Sequence, residues 1–574
     1  MTPFKDIRKN LKRITDDLPS IPVAVVGDTA TQFLATAIKG VGVERGYNIN
    51  LFEAEYNQVE RQVLDPTSDL HQFAAKYTVV FQSTHKLLEA YSLESGMWNV
   101  EGEKVFEERL NLIRTLCETI EGKIIYFNYP EIDDTVFGQY ANRTELSFTW
   151  QIRQLNCELM RLTQEYPNLY ICDIAALQNQ FGREWMFDSS VYVSTEMVLS
   201  LDALPYVGSR VMDIICAIEG KFKKCLILDL DNTVWGGVVG DDGWENIQVG
   251  HGLGIGKAYT EFQEWVKKLK NRGIIIAVCS KNDEDKAKEP FEKNPEMVLR
   301  LDDIAVFVAN WENKADNIRT IQQILNIGFD SMVFLDDNPF ERNMVRENVP
   351  GVCVPELPED PGDYLEYLYS LNLFETASYS AGDKDRTKQY QTEATRVQAA
   401  QKFTNEADFL KSLDMVSVVE GFTPFNTPRV AQLSQRSNQF NLRTVRYTDG
   451  EIAALGASDK HVCLSFTLED KFGDNGLICV IIMEKRDAKT LFVDTWFMSC
   501  RVLKRGMENF TLNTMVEYAK EHGFERIVGE YIPTLKNGMV KEHYPNLGFK
   551  AIGENLYELD VNAYEPRECY IAKK

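Results

Sequence analysis

Short apolar runs alternate with helix-period segments along much of the chain, and that alternation is what most restricts its fold. IPVAVVGD (residues 21–28), VVFQST (79–84), KIIYFNYP (123–130) and LYICDI (169–174) read as strands, with helical patterns such as FEERLNLIRTLCETI between them. The rhythm restarts at KCLILDLD (224–231). It continues through YTEFQEWVKKLKNRG, IIIAVCSKN, NIRTIQQILNIG and SMVFLDDNP. Strands joined through helices pair in parallel and are covered on both faces, so the expected class is α/β.

Three strands of the second series end in polar residues, Asp229, Ser280 and Asp336. In doubly wound sheets ligands bind outside the carboxyl ends of the strands, so these groups are expected to converge. Asp229 and Asp231 are two residues apart and share a face of their strand, where two like charges repel unless a cation sits between them.

Proline and acid content in VPELPEDPGDY (354–364) marks the exit from this unit, and the polar SAGDKDRTKQYQTEATRVQAAQKF (380–403) reads as a connector. Strands return in HVCLSFTLED, LICVIIMEK, LFVDTWFMSCRV and RIVGEYI, with the helix MENFTLNTMVEYAKEHG before the last of these. The expected domains are 1–220, 221–375, a helical connector 376–405, and 406–574.

Composition narrows the function classes. A formal charge of -24 over 574 residues repels nucleic acid and anionic membrane surfaces, so neither is an expected partner. The 11 cysteines include no CxxC pair, which argues against a zinc ribbon or a disulfide framework and fits a reducing compartment. MTPFKDIRKNLKRITDDLPS has no apolar core of a signal peptide, and no apolar run approaches the ~20 residues of a membrane helix. A soluble, cytoplasmic protein is expected.

Asp229-x-Asp231-x-Thr233, Ser280 with Lys281 beside it, Lys314 and Asp336-Asp337 resemble, in order, the four motifs of the haloacid dehalogenase superfamily. The resemblance implies phosphoryl transfer with Mg²⁺. Asp229, the backbone carbonyl of Asp231, and an acid from Asp336 or Asp337 would hold the ion, with Asp337 favoured. Asp229 would attack phosphorus, and Asp231 would give a proton to the leaving oxygen and later take one back. An alkoxide needs that proton and a halide does not, which disfavours dehalogenation. Thr233, Ser280, Lys281 and Lys314 would bind the phosphoryl group. About fifty residues separate Asp229 from Ser280, and a core helix and strand use most of them, leaving no room for a large cap.

DLDNTVWGGVVGDDGWENIQVG (229–250), SKNDED, WENK, FLDDNPFERNMV, QRSNQFNLRTVRY and MSCRVLKRGMENF are more particular, and resemble the FkbH-like family. That resemblance implies removal of phosphate from a phosphorylated small acid such as 1,3-bisphosphoglycerate and loading of the glyceryl unit onto an acyl carrier protein. The alternative is a plain Mg²⁺-dependent phosphatase acting on a sugar phosphate or carrier-bound phosphoester, with the flanking domains serving in docking.

Gly27-Asp28-Thr29 resembles the first block of SGNH hydrolases, but Asp188-Ser189-Ser190-Val191 has valine where that fold carries its base, so a degenerate domain is expected. MSCRVLKRGMENF and KNGMVKEHYPNLGF resemble the N-acetyltransferase-like (GNAT) fold, with Lys504 at a glycine position of its pyrophosphate loop. Cys500, Arg501 and His543 are candidates for an acyl-transfer site. Arg429, Arg436, Arg443 and Arg446, with Arg501, Lys504 and Arg505, are expected to offer a basic face to an acidic carrier. The whole reads as a multidomain α/β chain: a Rossmann-like haloacid dehalogenase core without a large cap, flanked by a flavodoxin/SGNH-like α/β domain and a GNAT-like α+β domain.

Overall fold

The structure, a computed structural model, describes residues 1–15, 17–94, 102–400, 402–534 and 536–574. It divides into two compact units, Met1–Ala217 and Ile218–Lys574. It is a multidomain α/β protein with two parallel sheets and one mixed sheet.

The first unit is built on β1 (Ser20–Gly27), β2 (Asn48–Glu53), β3 (Tyr77–Phe81), β4 (Lys123–Phe127) and β5 (Leu169–Cys172), all parallel in the order β2-β1-β3-β4-β5. This is the order of flavodoxin-like doubly wound sheets. The interior strands are buried valine, isoleucine and aromatic runs, as a sheet covered on both faces requires. β2 lies at the edge, and its half-buried Asn48 and exposed Asn50 hide it from an apolar-run reading. Gly27 ends β1 where a Cβ would meet Thr31 Cγ2 at 2.5 Å and the Phe81 carbonyl at 3.0 Å, so the turn takes only glycine.

In the second unit β6 (Cys225–Leu228), β7 (Ile275–Ser280), β8 (Val306–Ala309) and β9 (Met332–Leu335) form a parallel sheet in the order β8-β7-β6-β9. The direction of winding reverses between β6 and β9, which opens a crevice at their carboxyl ends. The register pairs Leu228 with Leu335, so Asp229 and Asp336 emerge side by side. Between Asp229 and β7 the chain forms the four-residue helix Val239–Asp242, a loop and the core helix Ile255–Asn271, with no cap.

The mixed sheet comprises β10 (Met415–Ser417), β11 (Val419–Glu420), β12 (His461–Asp470), β13 (Gly473–Lys485), β14 (Thr490–Met498), β15 (Arg526–Glu530), β16 (Lys550–Gly553), β17 (Leu556–Asp560) and β18 (Ile571–Lys573). β14 and β15 run parallel and pair from Thr490–Arg526 to Val493–Gly529. Beyond that point residues 440–442 come between them: the Leu442 amide donates to the Trp496 carbonyl at 3.1 Å, and the Ile532 amide donates to the Leu442 carbonyl at 2.9 Å. The expected connector is a strut. Helix Arg386–Ala400 buries Tyr390 against the parallel sheet, bonds Gln391 Nε2 to the Ile304 carbonyl at 2.8 Å and pairs Arg396 with Asp470 at 2.9 Å. Among the described residues no helix is long and apolar enough to cross a membrane. All eleven cysteines are free.

Candidate active site

The crevice between β6 and β9 collects the carboxylates. Asp229, Asp336 and Asp337 each bring one oxygen within 4.8 Å of the others. Lys314 opens helix Lys314–Leu325 behind the Asn313 cap, and its Nζ lies 2.9 Å from Asp229 Oδ1 and 2.7 Å from Asp336 Oδ2. Burial works against the lysine charge, but the two carboxylates outweigh it and hold its pKa well above the ordinary range. Burial and the Asp229 charge push Asp336 up to about 7, against the pull of Lys314. Burial and Asp229 also raise Asp337.

The turn after β6 depends on Asn232, which takes a left-handed φ of 54° that asparagine tolerates better than most residues. Its Oδ1 accepts from the Gly237 amide at 3.0 Å, and its carbonyl accepts from Tyr364 at 3.2 Å. These two bonds fix the turn that carries Asp231. Asp231 Oδ1 accepts from Trp235 Nε1 and the Val239 amide, each at 3.0 Å, and Oδ2 accepts from Asn282 Nδ2 at 2.8 Å. Its side chain is outside the cluster of three. Burial raises the Asp231 pKa, the nearby Asp229 charge adds to this, and the three donors restrain it.

Thr233, expected at a phosphoryl oxygen, has its hydroxyl engaged: Oγ1 accepts from the Asp337 amide at 3.0 Å and lies 3.4 Å from Asp337 Oδ1. It is placed to hold Asp337. Ser280 ends β7, buried, and Lys281 pairs with the buried Glu341 at 2.6 Å. Asn282, Trp235 and Arg342 were not singled out from sequence. Arg342 bonds the carbonyls of Asp336 and Asp337 at 2.8 and 2.7 Å and so fixes the loop that carries both acids. The SKN run contains Asn282, but only the fold brings it to Asp231.

The other candidates lie elsewhere. Cys500 and Arg501 sit in a single turn after β14, not at the strand's own end, and line a cavity of about 420 Å³. His543 packs on Trp496 and Phe440, and burial pushes its pKa down to about 3, so it is neutral. It is not among the residues lining the cavity with Cys500. The expected basic face is largely internal. Arg443 pairs with Asp494 at 2.6 Å and Glu530 at 2.8 Å, and Arg446 donates to the carbonyls of Ser434 and Ser437. Arg505 is buried with Asp470 and Glu393. In the first unit Thr29 is fully buried with its hydroxyl unpartnered, and Asp188 caps helix Ser189–Thr195, so no base serves Thr29.

The FkbH N-terminal domain family matches residues 22–216. The crystal structure of the N-terminal part of the protein BF1531 from Bacteroides fragilis, containing a phosphatase domain complexed with Mg, is 70% identical. The match covers 66% of this chain and 100% of that one, with a TM-score of 0.64. The chain belongs to the FkbH-like family. Two acetyltransferase structures also match this FkbH-like chain. The ribosomal-protein-S18-alanine N-acetyltransferase from Escherichia coli is 11% identical over 25% of this chain and 94% of that one, with a TM-score of 0.20. The GNAT domain of PAT from S. lividans is 15% identical over 25% of this chain and 89% of that one, also with a TM-score of 0.20. No curated protein matches.

Proposed function

We propose that this FkbH-like protein is a Mg²⁺-dependent phosphatase of haloacid dehalogenase type, with residues 221–375 as its catalytic domain. The observation that carries this is the meeting of Asp229, Asp336 and Asp337 within 4.8 Å around a single lysine. Three carboxylates and one ammonium leave negative charge in excess where hard oxygen donors converge, which suits Mg²⁺. The 70% identical B. fragilis domain, complexed with Mg, supports the same ion. Asp229, Asp337 and the Asp231 carbonyl would hold it, with Asp336 adjacent. When bound it would screen the phosphate dianion from the carboxylates.

Lys314 holds Asp229 through Oδ1, and the Asp229 carboxylate attacks phosphorus to form an aspartyl phosphate as the ester oxygen leaves. Asp231 gives that oxygen its proton and then takes one from the incoming acceptor. Ser280, Lys281 and Lys314 supply donors and charge to the phosphoryl oxygens, while Thr233 fixes Asp337. Removing one such donor costs about 10²–10³ in rate. Asp229→Asn should abolish Mg²⁺-dependent hydrolysis of a model phosphoester by the purified chain. Retention of activity in that variant would refute the reading.

For the substrate, the family resemblance favours a phosphorylated small acid such as 1,3-bisphosphoglycerate, with the acyl unit passed to an acyl carrier protein and Cys500 as thioester relay beside Arg501. The half-buried Cys500 at the cavity wall is compatible with this. The neutral, enclosed His543 and the internally paired arginines favour the second reading, a plain phosphatase for a sugar phosphate or carrier-bound phosphoester. Incubation with 1,3-bisphosphoglycerate and a holo carrier protein, read by intact mass, separates the two. Loading that stops in Cys500→Ala while phosphate release continues supports the relay, and equal loading removes it. No glyceryl mass shift on any carrier leaves the plain phosphatase.

A further inference from the structure

The amino ends of β6 and β9 lie at the opposite end of the four-stranded sheet from the aspartates. Strands of four residues span about 13 Å, so a ligand there does not share the carboxylate crevice. Lys224, just before β6, and Asp330 and Ser331, just before β9, form one wall of the cavity of about 420 Å³ that Cys500 and Arg501 line from the other side.

Six cations line this cavity: Lys224, Arg386, Arg429, Arg436, Arg501 and Lys536. The only lining carboxylate among the described residues is Asp330, which Lys536 already holds at 2.5 Å. Behind the wall, buried Asp383 is shared by Arg386 at 2.9 Å and Arg436 at 2.5 Å. The other three have neutral partners. Lys224 Nζ donates to the Arg436 carbonyl at 3.0 Å, Arg429 donates to Gln432 Oε1, and Arg501 donates to Gln389 Oε1 and, at 3.3 Å, to Ser499 Oγ. Arg436 Nε has no partner. Burial pushes Lys224 down to about 8 and Arg429 and Arg436 to about 9, and the cations' mutual repulsion adds to it. Gathering unpaired charges in a partly desolvated space is costly unless an anion completes the set.

We propose that this cavity is a second anion site, separate from the aspartate crevice, that binds a phosphorylated small molecule. Several arginine forks around one space match a phosphate dianion better than a single carboxylate. The volume exceeds a bare phosphate, and Phe440, Leu433 and Met498 give the rest of the ligand an apolar wall. The site does not rest on the phosphatase reading, because none of its residues belongs to the aspartate crevice.

Equilibrium dialysis of the full chain with radiolabelled inorganic phosphate tests it, in EDTA so that the aspartates hold no divalent ion. Binding should saturate, remain unchanged in Asp229→Asn, resist competition by acetate, and weaken about tenfold or more in Lys224→Gln and Arg429→Gln. Absence of saturable binding, equal competition by acetate, or weakening in Asp229→Asn but in neither cavity variant would overturn the proposal. A readout without variants covers failure of those proteins to fold. Bound phosphate should slow alkylation of Cys500 but not of exposed Cys157, followed by peptide mass spectrometry. Unchanged alkylation of Cys500 at saturating phosphate would refute the site.

Discussion

Replacing Asn282 with alanine perturbs the proposed acid–base group without touching it. Of the three donors to Asp231, Trp235 and Val239 share Oδ1, and Asn282 at 2.8 Å serves Oδ2. A hydrogen bond to a charged group contributes about 1.5–3 kcal/mol, equivalent to about one to two pKa units. Burial already raises Asp231, and the lost donor favoured the carboxylate, so Asn282→Ala should raise it further by about that amount. The protonated form donates to the leaving oxygen. Its persistence to higher pH should therefore move the alkaline limb of the kcat/KM profile upward by the same interval. The substrate should be an alkyl phosphate such as glycerol 2-phosphate, because its poor leaving group depends on that proton. With p-nitrophenyl phosphate, whose leaving group needs less help, the shift should matter less. Loss of orientation should also lower kcat about tenfold. An alkaline limb that stays in place, or moves down, would refute the role given to Asp231.

At a hundredfold excess over its Kd, Mg²⁺ should stabilise the chain by about 2.7 kcal/mol in thermal melts, and Asp337→Asn should remove most of that gain. Equal shifts in both proteins would exclude Asp337 as a ligand. Burial raises Asp28 to about 6, against Arg109 and the Ser83 amide, so the folded state binds more protons than the unfolded between about pH 4 and 6. Stability is then full at low pH and falls by about 3 kcal/mol as pH rises through 6, and urea melts of Asp28→Asn should lose that decline. Parallel pH dependences in the two proteins would refute it. Asp383→Asn strands Arg386 and Arg436 and should cost about 3–5 kcal/mol, and a change below about 1 kcal/mol in urea melts would show that the arginines find other partners.

The parallel sheets were legible because their strands are short apolar runs that stop at a charge: CLIL before Asp229 and MVFL before Asp336. Edge strand β2 was not, since only Ile49 of its six residues is buried and no apolar run marks it. The polar composition of residues 386–400 predicts a connector, and the fold anchors this helix by charge, through Arg396 to Asp470, as well as by Tyr390. Asn282 looks like any turn asparagine until β7 carries it beside Asp231. Lys504 takes a left-handed φ of 63°, as Gly506 does at 79°. A lysine in that region costs about 1–2 kcal/mol, which a reading of residue types alone does not reveal.

The same limit applies to charge. The net -24 is a property of the whole surface, and its field fades over a Debye length of about 8 Å at physiological ionic strength. A long, stiff polyanion can bind only by bringing many of its charges within that distance of the acidic surface at once, and there it is repelled. A small anion that enters the cavity is surrounded by Lys224, Arg429 and Arg501 at short range, with Asp330 and Asp383 already committed to other cations. Arginines that looked like a surface patch in the sequence divide on folding into those neutralised by distant acids, such as Arg443 with Asp494, and those left without one. No linear spacing reports that division, because acids such as Asp494, 51 residues from Arg443, and Asp470, 35 residues from Arg505, reach their arginines only through the fold. Overall charge therefore argues against macromolecular polyanions while leaving a phosphorylated metabolite as the ligand that the unpaired cations select.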